Sequence, residues 1–406
     1  MSGFFSIKET KSNTQPDNRT YSCVSCGLYK DCKTPKMKPF GKFKKGILNI
    51  GEAPGEMEDR GGKQWQGKSG QLLERTYKQL GIDLFEDCLN INACNCRPIE
   101  SNENRTPTNY EIDCCRKSVL KIIEEYQPKI IILFGGSALY SLLGHRWKKN
   151  LEGIMKWRGF IIPDKDFKAW ICPVFHPSFV DRGEKEVEVI WKQDLTEAIK
   201  KLDEELPRYK KPEIEMIENL SVLSKIKSDI ASFDYETTGI KPHAAGHKIV
   251  CCSIADSENH VFVFPMPQTK IALQPFIHFL QSNIGKIASN MKYEDTWTKV
   301  RLRTDVNNWI WDTMIAAHVL DNRSGITGLK FQTYINFGVI DYSSEISPYL
   351  HSTEQKNGNA MNQILKLTEQ STGMNKLLEY CAWDSIWEHR LAMKQMKIMN
   401  YSFLPF

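Results

Sequence analysis

Short apolar runs alternate with amphipathic stretches across the first two hundred residues, and few folds accommodate that rhythm. Strands are expected at Gly46–Ile50, Leu89–Asn92, Lys129–Phe134 and Ala169–Val174, with helices at Gly70–Leu80, Glu111–Tyr126 and Ser137–Leu143 between them. A strand–helix–strand order implies an α/β fold, with a parallel sheet covered on both faces. Ligands of such sheets sit outside the carboxyl ends of the strands. GEAPG after Ile50, Asn92, GGS at Gly135 and FHPS at Phe175 all follow strands.

The rhythm stops after a charged helix expected from about Val187 to Leu206, where Pro207 to Pro212 (PRYKKP) breaks the pattern. At 406 residues the chain is too long for one ordinary domain. The expected organisation is a first domain over 1–206, a linker over 207–217 and a second domain over 218–406. In the second domain IASFDYE, KIVCCSIAD, HVFVFP and KIAS have strand character, followed by helices near Asp312–Leu320 and Met374–Met399. There is no internal repeat, Asn322–Leu367 has no clear period, and residues 1 to about 20 are polar and expected to fray.

An apolar fraction of 41% is that of a globular protein, and no run is long enough to cross a bilayer. The N-terminus lacks a secretory signal, so a soluble, cytoplasmic protein is expected. Twelve cysteines in that compartment point to thiols and metal ligands rather than disulfides. The net charge of +5 is uneven: residues 1–200 carry 32 basic against 26 acidic side chains, and the remainder 22 against 23. Lys30, Lys33, Lys36, Lys38, Lys42, Lys44 and Lys45 hold much of the excess, a run suited either to tracking phosphates or to a solvated loop face.

Cys23-x2-Cys26 has the spacing that turns two sulfurs toward one centre, and Cys96 and Cys115 lie downstream beside Arg97 and Arg116. Zinc and an iron–sulfur cluster both accept four thiolates, and Cys32, Cys94 and Cys114 are further sulfurs close by. Together with GEAPGEMED, GKQWQGKSGQLL, NINACNCRP, RTPTNYEIDCC and FHPSFVDR, these residues resemble the family 4 uracil-DNA glycosylases. The resemblance implies a [4Fe–4S] cluster held by Cys23, Cys26, Cys96 and Cys115, with Cys115 preferred over Cys114 by its offset from Pro107.

A glycosylase swings a nucleotide out of the stack and recovers the cost through stacking and edge hydrogen bonds. Under the resemblance Trp65 supplies the aromatic face, and the Asn92 amide reads the Watson–Crick edge of uracil. His176 donates to the departing uracil anion, while Arg182 and the GKSG amides hold flanking phosphates. Two departures stand out. The family usually has Phe where Trp65 stands, and Ala53 occupies the place where other uracil glycosylase families carry a water-activating acid, leaving Glu52 and Glu58 as candidates. Two classes of function are therefore expected for this half: uracil excision, or DNA binding and uracil sensing by a retired glycosylase.

The second half carries an acidic set. Asp234 and Glu236 alternate on a strand and share a face, Asn290-Met-Lys-Tyr-Glu294-Asp295 opens a helix, and Tyr380 and Asp384 lie one helical turn apart. Oxygen ligands gathered in this way suit two divalent ions that clamp a phosphodiester. The pattern resembles the DEDDy 3′–5′ exonucleases of the RNase H-like superfamily, in particular the proofreading domains of family A DNA polymerases, over about Glu218–Met399. That implies a mixed sheet, two Mg²⁺ or Mn²⁺ ions on Asp234, Glu236, Glu294 and Asp384, and Tyr380 at the attacking water. The second motif normally ends in Asp where Glu294 stands, with Asp295 next to it; register favours Glu294.

Both halves together resemble the N-terminal part of certain bacteriophage family A DNA polymerases. The implied substrates are single-stranded 3′ ends and uracil-containing DNA; since the chain has no room for a polymerase's palm and fingers, a separate DNA polymerase subunit is the expected partner, with a sliding clamp as a further candidate. The expected compartment for a phage protein is the host cytoplasm. Phe4-Phe5 and the tail residues Phe403, Leu404 and Phe406 are candidate docking points, ordinary packing being the commoner use.

Overall fold

The computed structural model describes residues 21–147, 150–340, 342–354 and 357–402. Phe4, Phe5, Phe403, Leu404 and Phe406 lie outside them. The chain divides into two compact units, Met1–Pro207 with Ile335–Ile340, and Arg208–Tyr334 with Asp341–Phe406.

The first unit is built on β1 (Ile47–Gly51), β2 (Cys88–Asn92), β3 (Ile130–Phe134), β4 (Ile162–Asp164) and β5 (Ala169–Val174), in the order β2-β1-β3-β5-β4. Four strands are parallel, and every residue of all five is buried, as a sheet covered on both faces requires. One edge departs from the all-parallel expectation. β4 is antiparallel to β5, because the four residues between them turn the chain straight back, with Lys168 in the left-handed region at φ 52°. The helices include α1 (Cys23–Cys26), α2 (Lys68–Gln79), α3 (Asn109–Tyr126), α4 (Gly135–Arg146), α5 (Pro177–Arg182) and α6 (Lys185–Lys200), with further short helices at Glu56–Gly61 and Ile154–Trp157. α6 stops short of the expected Leu206, ending in a 3₁₀ turn at Lys201–Asp203.

Two asparagines inside these strands would be costly if unpaired. Instead Tyr77 Oη donates to Asn49 Oδ1 (2.8 Å), Asn49 Nδ2 to Asn90 Oδ1 (3.0 Å), and Asn90 Nδ2 to the carbonyls of Leu84 (2.9 Å) and Phe40 (3.1 Å). Trp65 Nε1 donates to the same Asn90 oxygen at 3.0 Å. A buried polar network thus fixes the ring of Trp65 against the sheet.

The second unit has β6 (Glu213–Met216), β7 (Ile230–Thr237), β8 (Ile249–Ser257), β9 (His260–Pro265), β10 (Gly285–Ala288) and β11 (Trp309–Asp312), ordered β11-β10-β7-β8-β9-β6. β8 is antiparallel to both neighbours, while β6, β10 and β11 run parallel to theirs, so the sheet is mixed. Its helices include α7 (Lys270–Gln281), α8 (Met291–Trp297), α9 (Thr313–Leu320), α10 (Leu329–Phe337), whose residues from Ile335 on belong to the first unit, and the long α11 (Gly373–Ile398), with a further short helix at Ile364–Thr368.

Small polar residues let α11 approach the sheet closely. Ser232 Oγ donates to the Ser385 carbonyl and Ser253 Oγ to the Cys381 carbonyl, both at 2.7 Å, and Ser253 and Ser385 hydroxyls meet at 2.5 Å. Asp312, at the end of β11, accepts from the amides of Asn290 (3.1 Å) and Met291 (2.9 Å), and caps α9 through Met314 (2.9 Å) and Ile315 (3.1 Å). One carboxylate therefore ties the start of α8 to the start of α9.

Candidate active sites

The first site lies at the carboxyl edge of the parallel sheet. In the register, Gly51 stands opposite Asn92. A Cβ on Gly51 would fall 2.6 Å from Asn92 Oδ1 and 3.2 Å from the Trp65 ring, so only glycine allows these side chains to close over the end of β1. Gly135, at φ +85°, brings the β3–α4 turn against His176, where a Cβ would lie 3.0 Å from that of the histidine. The Trp65 and His176 ring centroids are 5.9 Å apart, and Trp65 meets Phe134 edge-on at 5.3 Å. Trp65 thus lies against Gly51 beside Asn92 and has His176 as a further neighbour.

The chemical state of each follows from its surroundings. Asn92 is 5% exposed, and its side-chain amide makes no hydrogen bond among the described residues. His176 caps α5, with Nδ1 accepting from the Ser178 amide at 3.2 Å, which leaves the ring proton on Nε2. Burial, with help from the Arg182 charge, pushes its pKa down to about 4, so the ring is neutral near pH 7. Glu52 is raised by burial, against the pull of a 2.9 Å hydrogen bond from Ser137 Oγ and of Arg182. Glu58 accepts from the amides of Gln66 (3.0 Å) and Gly67 (3.1 Å), so one amide of the GKSG turn is already engaged. Arg182 is exposed, with Nε bonded to the Ser178 carbonyl at 2.9 Å.

Beside this edge, Cys26, Cys32, Cys94, Cys96 and Cys115 pack into one small apolar cluster with Leu28, Tyr29 and Ala53. Cys94 and Cys115 Sγ are 4.0 Å apart, and Cys96 Sγ accepts from the Lys36 amide at 3.2 Å. Cys23 is exposed at the start of α1, and Cys114 is buried outside the cluster. The RTPTNYE segment is the mount of α3: Thr108 and Glu111 form a capping box, and Arg105 clasps Glu111 with bonds of 2.8 and 2.6 Å.

In the second unit, donor atoms of Asp234, Glu236 and Cys381 all lie within 4.8 Å of one another. Glu236, Glu294 and Asp384 are buried, from β7, α8 and α11 respectively, while Asp234 keeps part of its surface exposed. Burial raises Asp234, Glu236 and Glu294 well above the usual carboxylate range, and mutual repulsion adds to it, from Asp384 on Asp234 and from Asp234 on the other two. Asp295 points elsewhere, to Lys299 at 2.8 Å and Trp309 Nε1 at 3.4 Å. Tyr380 is buried one turn before Asp384, 6.0 Å from the ring of Tyr342.

Three residues at this centre were not anticipated. Glu388 is 1% exposed, is raised by burial and by Asp234, Glu294 and Asp384, and accepts from the Ser289 amide at 3.2 Å. Its four-residue offset from Asp384 on α11 was the available signal. Tyr342 and Lys330 both donate to Asp384 Oδ1, and they come from the stretch without a period, which offered none.

Comparison with known proteins matches residues 38–203 to the uracil DNA glycosylase superfamily and residues 211–397 to a 3′–5′ exonuclease family. The chain is 32% identical over 164 residues to the type-4 uracil-DNA glycosylase of Pyrobaculum aerophilum, covering 40% of this chain and 80% of that protein. With the Thermotoga maritima enzyme the figures are 33% over 165 residues, 41% and 81%. The chain belongs to the type-4 uracil-DNA glycosylase family. A 3′–5′ exonuclease domain is fused to the glycosylase domain. Across both, the chain is 24% identical over 331 residues to a DNA polymerase of Bacillus phage SP01, covering 72% of this chain but only 34% of that polymerase.

The glycosylase family implies an iron–sulfur cluster, and the donor set fits one. All the sulfurs are free, and burial pushes Cys26 up to about 11 and Cys96 to about 12, so these thiolates need a bound cation to persist. The exonuclease domain implies divalent ions, and there too the residues fit. Glu294 Oε2 and Glu388 Oε2 are buried without a hydrogen-bond partner among the described residues, acceptors that an oxygen-seeking cation would satisfy.

These raised carboxylates set a pH dependence. Glu236, Glu294 and Glu388 sit above their ordinary 4.5 in the folded, ion-free protein, so the native state holds protons that the unfolded chain releases. In EDTA, stability of the exonuclease unit is expected to fall as pH rises above the ordinary 4.5 of a glutamate, and saturating Mg²⁺ is expected to remove most of that slope. Thermal melts of the wild type and Glu388→Gln test this; a slope of equal size in both proteins would contradict it.

Proposed function

We propose that this protein is a metal-dependent 3′–5′ exonuclease that removes mispaired nucleotides from DNA 3′ ends beside a separate DNA polymerase subunit, and that its glycosylase domain excises uracil. The observation that carries the exonuclease reading is the convergence of acids from β7, α8 and α11, two of them with orphaned buried oxygens. Asp234, Glu236, Glu294 and Asp384 are the proposed holders of two Mg²⁺ or Mn²⁺ ions. When bound, such ions supply Lewis-acid stabilisation of charge on the phosphate oxygens. The chain's own part is orientation: Ser232, Ser253 and Ser385 seat α11 on the sheet, Asp312 pins the start of α8, and Tyr380 presents its hydroxyl beside Asp384.

In the glycosylase domain, the open amide of Asn92 reads the uracil edge, and neutral His176 donates from Nε2 to the charge that develops on the leaving base. Cys26, Cys96 and Cys115 hold a [4Fe–4S] cluster, with Cys23 as the fourth ligand proposed from the family pattern and Cys94 and Cys32 adjacent. Arg182, exposed beside His176, contacts a flanking phosphate. The domain boundaries at 206 and 218, a cytoplasmic location and a sliding-clamp partner belong to the same reading; no helix among the described residues is long and apolar enough to cross a membrane.

One observation favours a second reading, in which the glycosylase domain binds DNA or senses uracil, or docks the polymerase, without cutting. Trp65 is 8% exposed, and its Nε1 is tied to Asn90. A ring so fixed between Gly51 and His176 leaves less room for a base than a smaller Phe does.

Two assays separate these readings. Asp234→Ala is expected to lower Mg²⁺-dependent degradation of a 3′-labelled single strand by on the order of 10²-fold or more, since it removes a ligand of the ion clamp; undiminished degradation would sink the exonuclease assignment. Uracil-containing oligonucleotide, followed by alkaline cleavage, is expected to show release that falls by roughly 10²-fold or more in Asn92→Ala, because a site's orphaned polar contact is costly in the transition state. Equal release by wild type and Asn92→Ala would remove the uracil-reading role, and none from the wild type would favour the binding module.

A further inference from the structure

We propose that Lys330 is a resident counter-cation of the exonuclease centre, a positioning residue that holds Asp384 in the ion-free enzyme and yields it when a divalent ion arrives. The inference rests on the reading of the acids as an ion cage and deepens it. Lys330 lies in the first turn of α10 and donates from Nζ to Asp384 Oδ1, the oxygen that also accepts from Tyr342. Its ammonium sits 3.7 Å from the ring centroid of Tyr342 and 4.4 Å from that of Tyr380, so two aromatic faces frame a slot for one positive charge. The same charge acts on Asp234 and Glu236, partly offsetting the repulsion that Asp384 exerts on both.

The arrangement differs from an ordinary structural ion pair in two respects. Asp384 is the acid proposed to hold an ion, so a lysine bonded to it competes with that ion for one carboxylate. The lysine side chain also keeps 25% of its surface exposed against 9% for Asp384, so its flexible stem has a route to solvent while the carboxylate stays in place. A monovalent charge in the slot thus keeps four crowded acids assembled, and a divalent charge binds there only by displacing it. The second ion is therefore held weakly by the protein alone.

The test is Mn²⁺ titration of the EDTA-stripped full chain without DNA, with free Mn²⁺ read by electron paramagnetic resonance, for the wild type, Lys330→Met, Lys330→Gln and Asp384→Asn. Methionine keeps the aliphatic packing between the tyrosine rings and glutamine keeps a donor toward Asp384; both remove the charge. Each is expected to tighten the weaker Mn²⁺ site by about tenfold, since a like charge no longer opposes the ion. Each is also expected to lower the melting temperature in EDTA, a deficit that closes in saturating Mn²⁺. Unchanged or weaker Mn²⁺ binding in both, or a melting deficit that persists with Mn²⁺, would overturn the proposal and leave Lys330 a structural residue. If Asp384→Asn binds Mn²⁺ like the wild type, the ion-cage reading itself falls, an outcome distinct from failure of the lysine variants alone.

Discussion

Repulsion among buried carboxylates is the constraint around which the exonuclease domain is organised. Asp234, Glu236, Glu294, Asp384 and Glu388 come from one strand and two helices, and burying even one unpaired charge is expensive. A fold that gathers five acids must therefore hold them by other contacts. It does so with hydroxyl bonds between α11 and β7–β8, with the Asp312 carboxylate that receives four backbone amides, and with Lys330 and Tyr342 on Asp384. The penalty that remains, carried by raised carboxylates and unpaired oxygens, is one that bound divalent cations would relieve, so under the proposed reading affinity for ions and the cost of their absence have one origin.

The glycosylase domain solves a different problem, the placing of an aromatic ring and an open amide beside a histidine at one sheet edge. Glycine at position 51 leaves the space, and the Asn49–Asn90–Tyr77 network takes the indole N–H of Trp65, so the ring is held by a polar bond as well as by packing. Tryptophan in place of phenylalanine is consistent with that network, since only the indole has an N–H to donate to Asn90. Cys26 and Cys96 follow the same logic as the acids: burial disfavours the thiolate that a bound cluster would stabilise, whereas the contact with Cys94 lowers Cys115 to about 7.

Much of this architecture was legible in the sequence, for identifiable reasons. β1, β2, β3 and β5 are buried on both faces and so read as largely apolar runs, broken only by the asparagines of β1 and β2, and α3 announces itself with Thr108 and Glu111 at capping-box spacing. β4, β6 and β11 have three or four residues each, too few for a period, and were missed. Asp234, Glu236, Glu294 and Asp384 were nominated by the resemblance that their motifs carry. Glu388 and Lys330 were not, because their importance lies in what faces them across the centre rather than in local pattern. The stretch over 322–367 stayed opaque because it is built from short helices and turns fixed by contacts such as Asn362 Nδ2 to the Thr237 carbonyl at 2.9 Å. Among the cysteines, spacing named Cys23 and Cys26 together, yet only Cys26 packs with Cys96 and Cys115, and Cys94 joins them through its position in the loop after β2.

The central claim is that the acids of β7, α8 and α11 form a site for divalent cations. Anomalous diffraction from crystals of the full chain grown with Mn²⁺ and a single-stranded oligonucleotide tests it most directly. The account predicts manganese peaks within bonding distance of Asp234, Glu236, Glu294 and Asp384. Crystals saturated with Mn²⁺ that show no anomalous density among these carboxylates would contradict it.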